Sequence, residues 1–108
     1  MIAAMYTIIE TPLFQSLVSD YWNEDERGEF FAWLGQKPDA GNVIPGSGGC
    51  RKVRWSRAGT GKSGGVRVIY YLRLTNGEIW LLTLYAKSAR ENIPAHTLKA
   101  LKELIDEN

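Results

Sequence analysis

The sequence predicts a single α+β domain in which a helical hairpin and a C-terminal helix pack on an antiparallel sheet. Three observations predict it: helix-periodic segments with capping residues between positions 11 and 37, two β-rich runs hinged at Asn76-Gly77, and an apolar helical stripe after Pro94. With 108 residues, 44% of them hydrophobic, there is room for one core, so residues 1–108 read as one domain.

Met5 to Glu10 is a short β-branched and aromatic run that reads as the first strand. Thr11-Pro12 suits an N-cap followed by proline at the first helical position. Leu13, Leu17 and Tyr21, with Phe14 and Val18 beside them, repeat at i, i+4 and predict a helix ending near Tyr21. Asn23 with Glu26 three residues later has the form of a capping arrangement, and Glu24, Asp25 and Glu26 favour the positive end of a second helix. That helix would turn Phe30, Phe31, Trp33 and Leu34 inward and stop by Lys37, because Pro38 disfavours helical geometry before it.

Residues 38 to 49 read as loop, and Cys50 to Trp55 alternates as a strand with Lys52 and Arg54 on one face. A glycine-rich segment from Ser56 to Gly65 leads to two β-rich runs, Val66 to Leu74 and Glu78 to Ala86. Asn76-Gly77 between them signals a two-residue type I′ turn, which would pair Thr75 with Glu78, Arg73 with Trp80 and Arg67 with Ala86. Arg67, Tyr71 and Arg73 then share a face. The opposite face carries Val66, Val68, Tyr70, Leu72, Leu74 and Leu81, an apolar layer for the helical hairpin. Pro94 opens a last helix with Leu98, Leu101, Leu104 and Ile105 in one stripe, completing the order βααβββα.

The net charge of +1 conceals a sharp division along the chain. Residues 49–90 hold nine Lys and Arg against one acidic residue, a net of +8, whereas residues 1–48 carry −5 and residues 91–108 carry −2. A basic middle segment is a polyanion-binding candidate. Tyr70, Tyr71 and Tyr85 interleave with these cations as stacking on bases requires, with Tyr70 assigned to the core.

Other chemistries find little support. Gly61-Lys62-Ser63 looks like part of a phosphate loop, but Ser56 stands where that motif wants glycine, and a strand follows where it wants a helix. The single cysteine, Cys50, excludes an intramolecular disulfide and has no metal-ligand spacing around it, and His96 alone suggests no catalytic pair. No metal or cofactor is expected. No basic leader or spanning apolar run is present, so the expectation is a cytoplasmic chain without membrane attachment.

Three segments in order carry a family resemblance: Gly48-Gly49-Cys50-Arg51-Lys52-Val53-Arg54, then Gly61 to Tyr71 (GKSGGVRVIYY), then Leu81-Leu82-Thr83-Leu84-Tyr85-Ala86-Lys87. With the helical hairpin ahead of them, the chain resembles the RelE/HigB-like toxins of bacterial type II toxin–antitoxin pairs, particularly the HigB-like branch. The resemblance implies a RelE-like fold and a ribosome-dependent, metal-independent endoribonuclease (mRNA interferase) that inhibits translation. It implies as partners messenger RNA, the ribosome and a cognate antitoxin, expected to be a helix-turn-helix protein. The family's basic pair on one strand matches Lys52 and Arg54, and its arginine on the next matches Arg67.

Related toxins also place an arginine and a tyrosine after the last strand, where this chain has Ser88 and Pro94, so those roles do not transfer; Tyr85, Lys87 or Arg90 are the substitutes at hand. The expected catalytic set is therefore Lys52, Arg54, Arg67, Lys87 and Tyr85, with Arg51, Arg57, Lys62, Tyr71, Arg73 and Arg90 as RNA contacts. The simple hairpin register puts Tyr85 on the face away from Arg67, so either a bulge reorients it or it is structural. Two other readings are a ParE-like gyrase-inhibiting toxin and a non-catalytic RNA-binding module.

Overall fold

The computed structural model describes residues 6–55, 65–87 and 93–107. Strand β1 (Thr7–Glu10) leads into helix α1 (Pro12–Val18), and helix α2 (Glu24–Gln36) follows. Strands β2 (Asn42–Val43), β3 (Arg51–Trp55), β4 (Val66–Arg73) and β5 (Glu78–Ala86) come next, and helix α3 (Ala95–Asp106) completes the described chain. The five strands form one sheet in the order β1-β5-β4-β3-β2. β1 runs parallel to β5, and the other pairs are antiparallel.

The caps form as the sequence requires. Thr11 is the N-cap of α1, its hydroxyl accepting the Phe14 N–H, with Pro12 opening the helix. Asn23 and Glu26 make a reciprocal capping box at 2.9 Å each way. α1 stops at Val18 rather than near Tyr21 because the Asp20 and Tyr21 amides turn back to the Leu17 and Val18 carbonyls in i→i+3 bonds that tighten the last turn. β2 lies inside the stretch read as loop; two residues are too short to show alternation.

Both faces of the sheet are covered. On one, Phe14, Val18, Phe30 and Leu34 from α1 and α2 pack on Val53, Val66, Val68, Tyr70, Ile79, Leu81 and Leu84. On the other, Leu98 and Ile105 of α3 pack on Cys50, Ile69 and Leu82. Arg27 of α2 pairs with Glu10 of β1. The buried Tyr70 hydroxyl accepts the Gly41 N–H at 2.8 Å and donates to the Pro38 carbonyl at 2.7 Å, tying the segment after α2 to the core.

The β4–β5 hairpin departs from the expected register. Arg73 pairs with Glu78 and Tyr71 with Trp80, so the connection has four residues: a 3₁₀ turn, Leu74–Asn76, then Gly77 at φ +63°. A type I′ turn needs positive φ at both central residues, and among the described residues only glycines have it, so Asn76 does not form one. Leu74, expected in the apolar layer, lies in this turn and is exposed.

A second irregularity follows. Pairing passes from Tyr70↔Leu81 to Ile69↔Thr83, leaving Leu82 as an extra residue on β5. Leu82 and Thr83 thus both lie toward α3, and every later residue of β5 changes face. Thr11 braces this bulge: its hydroxyl lies 2.9 Å from the Leu81 carbonyl and 3.0 Å from that of Leu82, and its N–H donates to Leu81 O. Replacing Thr11 by Ala removes both a helix cap and the bulge brace, and is expected to cost about 1–2 kcal/mol in urea unfolding, with Thr11→Ser recovering most of it.

Candidate functional site

Alternation along β3 is fixed from its apolar side. Val53 is buried, and Trp55 packs its ring 5.4 Å from Phe30 and 5.0 Å from Trp33, both of α2. With Val53 and Trp55 turned to the helical hairpin, Lys52 and Arg54 must point to the other face, where both are exposed. Arg54 stands directly opposite Arg67 on β4, and Arg67 stands directly opposite Tyr85 on β5. Arg54, Arg67 and Tyr85 therefore form one row across three strands. Lys52, Ile69 and Thr83 form the next.

The bulge produces this row. With the hairpin-end pairing continued unbroken, Arg67 would oppose Leu84 and Tyr85 would fall on the helical-hairpin face. One extra residue in β5 brings Tyr85 beside Arg67 and sends Leu84 into the core. Lys87, exposed, follows two residues after Tyr85, and its N–H donates to the Gly65 carbonyl just before β4.

Two arginines facing each other across a strand pair repel, which disfavours the sheet unless an anion lies between them. Two polar atoms on this face are also buried without a hydrogen-bond partner among the described residues: Arg67 Nη1 and Thr83 Oγ1. An unsatisfied buried donor or acceptor costs about 1–3 kcal/mol, so such groups cluster where a ligand or a conformational adjustment completes them. Thr83 escaped the sequence reading. A lone hydroxyl inside the apolar run 79–84 was the available signal.

Other expected contacts sit elsewhere. Arg51 is on the opposite face, where its guanidinium donates to the carbonyls of Gly41 (2.7 Å) and Asp39 (3.3 Å); it braces the chain before β2 and is no part of the patch. Tyr71 and Arg73 share the face of Arg67 but lie under the end of α3. The Tyr71 hydroxyl lies 2.8 and 3.0 Å from the two Asp106 carboxylate oxygens, and Lys102 Nζ sits 5.4 Å from the centre of its ring. Arg73 reaches the Asp106 carbonyl and the Glu78 carboxylate. Arg57, Lys62 and Arg90 fall outside the described residues.

α3 thus divides the face: one end is bound to Tyr71 and Arg73, while Lys52, Arg54, Arg67 and Tyr85 lie toward the end where β3 stops and β4 starts. Cys50 is fully buried beneath Leu98, and burial pushes its thiol pKa up, so it is a packing residue. No group of three or more His, Cys, Asp or Glu side chains among the described residues is placed to hold a metal ion. None of the described helices is long and apolar enough to cross a membrane.

A five-stranded sheet in this order, covered by helices on both faces and cationic at one end, defines a small α+β domain of the RelE type. Residues 39–107 match the family described as RelE toxin of the RelE/RelB toxin–antitoxin system, and the chain belongs to that family. It is accordingly a toxin of a toxin–antitoxin pair, with a cognate antitoxin as partner. Among solved structures it is similar to Escherichia coli toxin RelE, a double arginine-to-alanine mutant in the free state, at 12% identity and a TM-score of 0.57 over 91% of this chain and 97% of that one. It is also similar to the conserved hypothetical protein HP0892 from Helicobacter pylori, at 14% identity and a TM-score of 0.57 over 78% of this chain and 97% of that one. These two likenesses bear on the fold.

The α3 clamp is sensitive to pH. Hydrogen bonds from Lys102 first and Tyr71 second hold the Asp106 carboxyl below its ordinary value, so its contribution is present above the usual carboxylate range and lost as pH falls through the lowered pKa. Burial first, and the Asp106 bond second, raise the Tyr71 phenol, whose contribution is lost as pH rises through its raised value. Amide-exchange protection of the last turn of α3 is therefore expected to fall on acidification below the carboxylate range. Asp106→Asn should remove that acid-dependent step; protection that ignores pH in the parent chain contradicts the clamp.

Proposed function

We propose that this toxin is a metal-independent endoribonuclease of the HigB-like branch that cuts messenger RNA on the ribosome in the cytoplasm and so inhibits translation. The observation that carries the reading is the cross-strand pair Arg54↔Arg67, with Lys52 and Tyr85 on the same open end of the sheet. Two like charges held opposite one another on an open sheet face suit a bound phosphodiester. E. coli RelE, similar in fold, is named a toxin. The cognate antitoxin is proposed to be a helix-turn-helix protein.

In this mechanism the RNA 2′-oxygen attacks the adjacent phosphorus, its proton passes to a base, and the P–O5′ bond breaks as the departing 5′-oxygen takes a proton from an acid. Arg54 and Arg67 hold the non-bridging oxygens as charge develops on them. Proton movement falls to Lys52 or Tyr85, which share the face of the arginine pair. Lys87 lies close enough in sequence to Tyr85 to steer the RNA backbone.

Arg67→Ala and Lys52→Ala are expected to slow cleavage about 10²-fold or more, the usual effect of removing one group that stabilises developing charge. The measurement is 5′-end mapping of cellular RNA after induction, together with cleavage of mRNA on programmed ribosomes. Either variant arresting growth and cutting as the parent does overturns the assignment. Gyrase-linked DNA breaks without new RNA ends assign the chain to gyrase poisoning instead.

A further inference from the structure

Arg67 and Thr83 each leave a buried polar atom unpartnered among the described residues, and the two atoms are chemically complementary. Arg67 Nη1 can only donate a hydrogen bond, and the Thr83 hydroxyl oxygen can accept one. The pairing register makes them diagonal neighbours: Arg67 opposes Tyr85, and Thr83 lies two residues before Tyr85 on the same face. Diagonal positions on adjacent strands sit about 7–8 Å apart, within reach of a long side chain.

Arg67 Nη1 is shut off from solvent, so a phosphate arriving from outside does not reach it directly. Its partner must come from within the fold. Thr83 is only 1% exposed, and its hydroxyl is placed by the same bulge that places Tyr85. A threonine with an unsatisfied hydroxyl is an expensive choice where valine would pack as well. That expense makes sense where the hydroxyl has a task.

We propose that Thr83 is a positioning residue for Arg67: when RNA engages the patch, the Thr83 Oγ accepts the Arg67 Nη1–H and aims the outward N–H groups of the guanidinium at the scissile phosphate. Thr83 itself touches no substrate. The inference rests on the nuclease reading and deepens it, because it says what fixes the orientation of the central arginine.

The test compares Thr83→Val and Thr83→Ser with the parent chain in thermal melting and in single-turnover cleavage of mRNA on programmed ribosomes. Thr83→Val keeps the shape and removes an unpaired hydroxyl, so its melting temperature should equal or exceed that of the parent. Its cleavage step should nevertheless be about tenfold to a hundredfold slower, at an unchanged half-saturating toxin concentration, as misaimed catalytic groups produce. Thr83→Ser should restore most of the rate, and adding Thr83→Val to Arg67→Ala should cost little more. A Thr83→Val protein that cuts at the parental rate overturns the proposal and leaves the nuclease reading standing, as does a rate lost only in step with melting temperature. A parent chain that cuts no RNA overturns the nuclease reading, and this inference with it.

Discussion

A β-strand sends alternate side chains to opposite faces, so one extra residue decides which face every later side chain occupies. In this toxin that residue is Leu82. Between Leu81 and Thr83 the β5 strand changes phase, and the change has two consequences at once: Leu84 enters the core under the helical hairpin, and Tyr85 emerges beside Arg67. The Leu81 and Leu82 carbonyls at the irregularity find a donor in the Thr11 hydroxyl, which also caps α1. A single side chain thereby couples the start of the first helix to the phase of the strand that presents the candidate site.

The second organising feature is how α3 shares the basic face. Seated on Cys50, Ile69 and Leu82, it turns what would be a solvated sheet surface into a second core, and its last turn engages Tyr71 and Arg73 through Asp106 and Lys102. The described cations of the middle segment are thus sorted by environment. Arg51 serves the opposite face, Arg73 is bound by carbonyl and carboxylate oxygens, and Lys52, Arg54 and Arg67 remain together at the open end. Their mutual repulsion is tolerable in a fold whose partner is a polyanion.

Much of the architecture was legible in local signals. Thr11-Pro12 and the Asn23/Glu26 box mark helix starts because capping needs only residues within one turn of each other. The alternation of Cys50 to Trp55 placed Lys52 and Arg54 on one face because Val53 and Trp55 had to be buried. The hairpin between β4 and β5 was equally plain, yet its turn was misread: Asn-Gly is common to several turns, and the choice of a four-residue connection depends on how the strands are held by the rest of the sheet.

What the sequence determined by itself was therefore everything that short-range chemistry governs: the helix caps, the strand alternation, the concentration of positive charge in residues 49–90 and the kinship with RelE-type toxins. Only the tertiary structure decided which cations meet. The bulge that aligns Tyr85 with Arg67, the helix that takes Tyr71 and Arg73, and the carbonyls that occupy Arg51 are all set by residues distant in the chain. The physical reason is one of scale: a cap or an alternating strand is settled by neighbours a few residues away. The phase of a strand and the covering of a face are settled by which packing of the whole sheet leaves the fewest buried groups unsatisfied.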